Sequence, residues 1–214
     1  MDIGELRYIV VEGAIGAGKT SLARKLALRL SADLLLEAAS DNPFLERFYA
    51  EPSRYALATQ LNFLFQRADQ VRALSQMNLF SRAVVADFLL DKDPLFAALN
   101  LGVDELALYQ RLYAFLQPQA PRPDLVIVLQ ASLDTLLTRV RQRGIRFEQG
   151  IEPDYLARLS DAYNRHFHSY DAAPVLFVNT EGLNFVDEPA HLDLLLERIA
   201  RMRGTREFFN VAAM

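Results

Sequence analysis

The run Gly13-Ala14-Ile15-Gly16-Ala17-Gly18-Lys19-Thr20 fits G-x-x-x-x-G-K-[ST] and is followed by Ser21. Residue types at this spacing hold phosphate. Glycines let the backbone curl with its N–H groups inward, and a helix opening at Lys19 would add partial positive charge. The ammonium of Lys19 can reach outer phosphates, and the hydroxyl of Thr20 can hold Mg²⁺. The context agrees. Tyr8-Ile9-Val10-Val11 ahead is a short apolar run, and Leu22, Leu26 and Leu30 behind are spaced four apart. Strand, glycine loop and helix is the order that a phosphate-binding loop requires.

Two further groups carry chemistry. Glu12, Glu37 and Asp87 each end an apolar run that reads as a strand, so all three are expected to face a common crevice. Arg139, Arg141, Arg143 and Arg146 crowd the approach to Gly144, and Glu148-Gln149-Gly150 follows. Guanidinium forks pair with phosphate oxygens and stabilise charge on a transferring phosphoryl group. An arginine-rich break between two helical patterns, in a chain with a phosphate loop, is expected to be a lid over about 143–153.

The elements that must position these groups read as strands at Arg7–Glu12, Leu34–Glu37, Ala83–Asp87, Leu125–Gln130 and Val175–Val178. All but the first are nearly continuous apolar runs, as in parallel strands buried on both faces. Between them lie helical patterns. Leu57, Leu61, Leu64, Ala68 and Val71 mark one, Leu106, Tyr109, Tyr113 and Leu116 another, and a third runs from about Asp154 to Tyr170. Strands alternating with helices predict an α/β fold, a doubly wound parallel sheet of five strands flanked by helices, as one domain over residues 1–214.

Bulk properties narrow the class. The 214 residues suffice for one substantial core. A net charge of −4 argues against tracking a nucleic acid backbone, though not against a nucleotide, which needs only a few local cations. Cysteine is absent, so no disulfide framework or thiolate metal site is expected. No basic leader with an apolar stretch opens the chain and no apolar run approaches membrane-spanning length, so the expectation is a cytoplasmic protein with no membrane partner. Switch and motor proteins carry Asp-x-x-Gly or Asp-Glu after a buried strand. Here Asp104-Glu105 opens a helix with no strand ahead of it.

Five segments together resemble the deoxyribonucleoside kinase family, most nearly its bacterial deoxyadenosine and deoxyguanosine kinases. They are Val11 to Thr20; Leu36-Glu37 with Asn42-Pro43-Phe44-Leu45; Tyr49, Gln60 and Arg67; Ala86 to Asp93; and Arg139-x-x-x-Arg143-Gly144 with Glu148-Gln149-Gly150-Ile151 and Tyr155-Leu156. The phosphate loop alone is shared by many families; the Tyr–Gln–Arg spacing with the Glu-Gln-Gly-Ile segment is far more selective. The resemblance runs from about Tyr8 to Ile199.

It implies a P-loop kinase fold and transfer of the γ-phosphoryl of ATP, with Mg²⁺, to the 5′-hydroxyl of a deoxyribonucleoside. In such an enzyme Asp87 would act as base on that hydroxyl, with Glu37 beside it. Gln60 would pair with the nucleobase, Arg67 and Asp93 would complete that pocket, Phe96 would stack on the base, and Tyr49 and Glu148 would hold the 3′-hydroxyl. The physical chemistry agrees. A carboxylate can orient an alcohol and take its proton, a carboxamide presents a donor and an acceptor side by side, and a buried arginine requires a carboxylate partner.

Two departures stand out. Many family members carry an arginine after the acid at Asp87, where this chain has Phe88-Leu89; Lys92 is the candidate replacement, as a point charge rather than a planar fork. Ile145 stands where some relatives have an arginine, and Arg146 is the candidate to compensate. The resemblance leans towards purines, while Gln60 by itself suits adenine, guanine or cytosine. A kinase for nucleoside monophosphates and a slow regulatory ATPase are the alternatives.

Three smaller signals complete the reading. His166, His168 and His191 form no ligand spacing and are expected to be solvated or capping residues. Arg201, Arg203 and Arg206 read as a solvated, frayed helix end. The apolar stretch Leu95 to Leu116 suits burial against a second subunit, since the family is typically dimeric, or deep packing within one chain.

Overall fold

The computed structural model describes residues 1–76, 83–116 and 121–211. Its framework is a parallel sheet of strands β1 (Tyr8–Gly13), β2 (Asp33–Leu35), β3 (Val84–Ala86), β4 (Leu125–Gln130), β5 (Val175–Asn179) and β6 (Arg206–Phe209), in the order β2-β3-β1-β4-β5-β6. The register pairs Tyr8 with Val84 on one side of β1 and Gly13 with Leu129 on the other. Leu125, Val126, Ile127 and Val128 are all fully buried, the outcome expected for β-branched and leucine side chains covered by helices on both faces.

Helices α1 (Lys19–Leu30), α2 (Leu45–Ala50), α3 (Pro52–Gln76), α4 (Asp93–Asn100), α5 (Val103–Leu116), α6 (Leu133–Arg143), α7 (Pro153–Ser169) and α8 (Pro189–Ala200) surround the sheet. The main core lies between the sheet and the helices that flank it. A second apolar cluster joins Leu64 and Val71 of α3, Ala97 of α4 and Tyr109 of α5. A third joins Leu45, Phe48, Ala56 and Phe63 beneath Phe147 and Tyr155.

The sheet has one strand more than the apolar runs predict. β6 pairs in parallel with β5, Val175 opposite Arg206, and Phe208 stacks on Phe177 with ring centroids 5.0 Å apart. Arg206 is therefore in an edge strand rather than a frayed helix end. Four residues of alternating exposure give too short a pattern to stand out against a charged C-terminal stretch. The apolar stretch Leu95 to Leu116 is two helices, α4 and α5, in contact with each other and with α3.

All strands run parallel, and the order in which they are laid down changes side at β1, with β3 on one side and β4 on the other. In open α/β sheets this is where ligands bind, beyond the carboxyl ends of the strands. The phosphate loop leaves β1 at that point. Gly16 and Gly18 adopt φ of 85° and 96°, the left-handed region that favours glycine, and a Cβ at Gly16 would stand 2.6 Å from the carbonyl oxygen of Leu136. α6 opens on Ser132, whose hydroxyl accepts from the N–H of Thr135, and stops at Gly144, with φ of 69°. That stop releases a short 3-10 turn, Arg146–Gly150, before Pro153 starts α7.

Candidate active site

A cleft of about 1210 Å³ opens at the carboxyl edge of the sheet. Ile15, Gly16, Ala17, Gly18, Lys19, Thr20 and Ser21 line it, together with Glu37, Tyr49, Gln60, Arg67, Asp87, Lys92, Phe96, Arg139, Arg143 and Glu148. Most of the residues expected from the sequence thus converge. Gly13 and Ala14 take part through their carbonyl oxygens, which accept from Lys19 Nζ at 2.8 and 3.1 Å. Burial, and then the charge of Lys92, push the Lys19 ammonium down to a pKa of about 8.

Asp87 sits just past the end of β3. Its Oδ2 accepts from the hydroxyl of Thr20 at 2.5 Å, and its Oδ1 from the N–H of Glu37 at 2.7 Å. Two hard oxygens from different elements therefore meet at the mouth of the phosphate loop. They are the donor type that Mg²⁺ takes when substrate phosphates complete its shell, so the residues present fit that ion.

Glu37 lies beyond the end of β2 and is gripped from below. Arg67 of α3 approaches its Oε1 with Nε at 2.7 Å and Nη2 at 2.6 Å, and Lys92 Nζ lies 3.5 Å from its Oε2. Although burial opposes ionisation, these cations win and hold the carboxyl at about 2. The other face of the Arg67 guanidinium pairs with Asp93, which is fully buried and also accepts from the hydroxyl of Tyr109. Asp93 thus stands behind Arg67 rather than in the cleft wall. Phe63 and Phe96 flank the same guanidinium, their ring centroids 4.8 and 5.9 Å from Cζ.

Gln60, seven residues before Arg67 on the same face of α3, is buried, and its Oε1 has no hydrogen-bond partner. A carboxamide lining a cleft presents a donor and an acceptor side by side. Tyr49 stacks on Phe147, with centroids 6.2 Å apart, near the ion pair of Glu148 with Arg143.

Three expectations differ from what the structure holds. Glu12 does not face the crevice: it is 0 % exposed, with Oε1 3.3 Å from Lys92 Nζ. It is the last residue before the loop glycine in β1, the innermost of the strands that carry these acids, and helices cover it on both sides. Arg146 is exposed and lies outside the cleft lining, because the 3-10 turn carries Phe147 and Glu148 inward instead. Arg139 does line the cleft, but its guanidinium is bonded to the Thr180 hydroxyl and carbonyl, each at 2.8 Å. Among the described residues no group of three or more histidine, aspartate or glutamate side chains is placed to hold a metal ion. His191 accepts from the N–H of Asn184 through Nδ1, and His168 approaches the Asn164 carbonyl.

The sequence reading missed the loop after β5. Leu183, Phe185, Val186 and Asp187 line the end of the cleft next to Arg139 and the phosphate loop. Irregular sequence following a buried parallel strand was the available signal, since such loops cover the ligand edge of an α/β sheet.

Fold, phosphate loop and acid-lined cleft define an α/β phosphotransferase of the P-loop kind. The family model for deoxynucleoside kinases matches residues 9–202, and the chain belongs to that family. It is 36 % identical over 184 residues to a deoxyguanosine kinase of Bacillus subtilis, covering 84 % of this chain and 89 % of the relative. It is 33 % identical over 196 residues to a deoxyadenosine kinase of Lactobacillus acidophilus, covering 85 % and 89 %. A solved structure of deoxyadenosine kinase from M. mycoides superposes with a TM-score of 0.78 over 91 % of this chain and 100 % of that one, at 22 % identity, and so shares its fold.

Proposed function

We propose that the protein transfers the γ-phosphoryl group of ATP to the 5′-hydroxyl of a purine deoxyribonucleoside, in nucleotide salvage. The observation that carries this reading is the juxtaposition, in one cleft, of a phosphate loop with an acid, Glu37, that two cations hold ionised. The bacterial deoxyguanosine and deoxyadenosine kinases that the chain resembles support the purine preference.

The donor phosphates lie in the loop of residues 13–20, with Lys19 turned from the Gly13 and Ala14 carbonyls towards them. Thr20 and Asp87 would hold Mg²⁺, which when bound neutralises charge at the donor phosphates. The acceptor lies against α3 and α4, its base at Gln60 and Phe96 and its sugar near Tyr49 and Glu148. The 5′-oxygen forms the new bond to γ-phosphorus while the bond from phosphorus to the β,γ-bridging oxygen breaks, and the hydroxyl proton passes to a carboxylate.

The geometry favours Glu37 for that proton and Asp87 for the metal side, whereas the resemblance implies Asp87 as the base with Glu37 beside the same hydroxyl. What supports this division is the bond from the hydroxyl of Thr20, the residue that would hold the metal, to Asp87. With its pKa near 2, Glu37 is a weak base, so it orients the alcohol first and takes the proton late, as a loose transition state allows. Lys92, beside Glu37, stands in for the arginine absent after Asp87. Arg139 and Arg143 approach the phosphates when the segment over about 143–153 closes as a lid.

A homodimer in the cytoplasm, where ATP and acceptor meet, belongs to the same reading. Phe65 of α3 and Leu108 and Phe115 of α5 are exposed on two helices that touch, and Leu108 and Phe115 are seven apart on one face. No helix among the described residues is long and apolar enough to cross a membrane.

ADP release from ATP, followed with each common deoxyribonucleoside in turn, tests the reading. Turnover that depends on a purine deoxyribonucleoside supports it. Turnover without any nucleoside, or only with a nucleoside monophosphate, refutes it.

A further inference from the structure

Lys92 is 1 % exposed and sits between two carboxylates, 3.3 Å from Glu12 and 3.5 Å from Glu37. Only Glu37 reaches the cleft. Glu12 is sealed inside the sheet, and its bonds join four parts of the site. Its Oε1 accepts from the N–H of Leu89 at 2.6 Å, in the segment linking Asp87 to Lys92. Its Oε2 accepts from the N–H of Gly13, which opens the phosphate loop, and from the hydroxyl of Tyr163 on α7, both at 3.3 Å. The fourth bond is the ion pair with Lys92. An acid with no access to substrate has been buried where apolar residues would pack at lower cost.

We propose that Glu12 is a positioning residue for phosphoryl transfer: it shares the Lys92 ammonium with Glu37 and so keeps Glu37 available to the acceptor hydroxyl. The proposal rests on the kinase reading above. A lysine ammonium is a compact charge that moves on a flexible stem. With a second anion behind it, it stands off from Glu37. Without that anion it closes on Glu37 alone, and the carboxylate is drawn into an ion pair and away from the alcohol. The acceptor still binds through Gln60, Phe96 and Tyr49, so the loss falls on kcat.

The test is a double-mutant cycle of Glu12→Gln and Lys92→Met, reading kcat and KM with ATP and the deoxyribonucleoside that turns over fastest. Glu12→Gln is expected to lower kcat at least tenfold with less than a threefold change in the KM of the acceptor. The double variant is expected to match Lys92→Met or exceed it, because Glu12 acts through the lysine. Losses that multiply in the double variant, or wild-type kcat in Glu12→Gln, overturn the proposal while leaving the kinase reading intact. A wild-type enzyme that phosphorylates no deoxyribonucleoside overturns both. If Glu12→Gln does not fold, Glu12→Asp, which keeps the charge but draws it back from Lys92, runs the same cycle with the same two outcomes.

Discussion

Arg67 holds Glu37 with two nitrogens on one oxygen, Nε at 2.7 Å and Nη2 at 2.6 Å, while its remaining nitrogen pairs with Asp93. One guanidinium therefore joins Glu37 to Asp93 at the wall of the cleft. It is only 3 % exposed. Breaking a buried pair leaves an uncompensated charge, so Arg67→Met should destabilise the fold by about 3–5 kcal/mol in denaturant titrations. Arg67→Lys should fail to restore it, since an ammonium cannot span both acids.

Glu37 links the same contact to pH. Its folded pKa, about 2, lies below the ordinary value of 4.5, so the folded state binds this proton less readily than the unfolded one. The stabilisation is then complete above about pH 4.5 and is lost as the pH falls towards 2. Thermal unfolding of the wild type and Glu37→Gln between pH 7 and pH 2.5 should show the wild-type advantage shrinking through the acid range. A constant difference would contradict this.

Gln60→Leu keeps the volume of the side chain but removes its donor and acceptor. We expect kcat/KM for the preferred deoxyribonucleoside to fall 10- to 100-fold, about 1–3 kcal/mol, with the KM of ATP unchanged. A panel of bases should show preference flattening rather than all rates falling together.

Arg143 pairs with Glu148 across the turn after α6. Under the proposed reading, Arg143→Ala should lower kcat more than it raises either KM, because a cation brought over the phosphates matters most to charge that spreads in the transition state. Steady-state kinetics that moved only the KM of ATP would restrict Arg143 to ground-state binding.

Much of this was legible in the chain. The loop of residues 13–20 announces itself because glycine spacing and the flanking strand and helix are local features. Gln60 and Arg67 could be placed on one face of a helix because seven residues return to the same side. Other features depended on distance in space. The burial of Glu12 follows from β1 lying between β3 and β4, which no local pattern encodes. The Thr20–Asp87 contact joins residues 67 positions apart. β6 was hidden because an edge strand of four residues needs no long apolar run, only a neighbour to pair with. Arg146 stands outside the cleft lining, and composition cannot tell which side of a short 3-10 turn faces inward.

The most direct test of the central claim is the Lys19→Ala variant beside the wild type, measured for ADP and deoxyribonucleoside 5′-monophosphate formed together from ATP and a purine deoxyribonucleoside. The account predicts equimolar products from the wild type and none from the variant, whose circular dichroism and melting profile stay native. Normal turnover by the variant, or wild-type ADP release with no phosphorylated nucleoside, would contradict it.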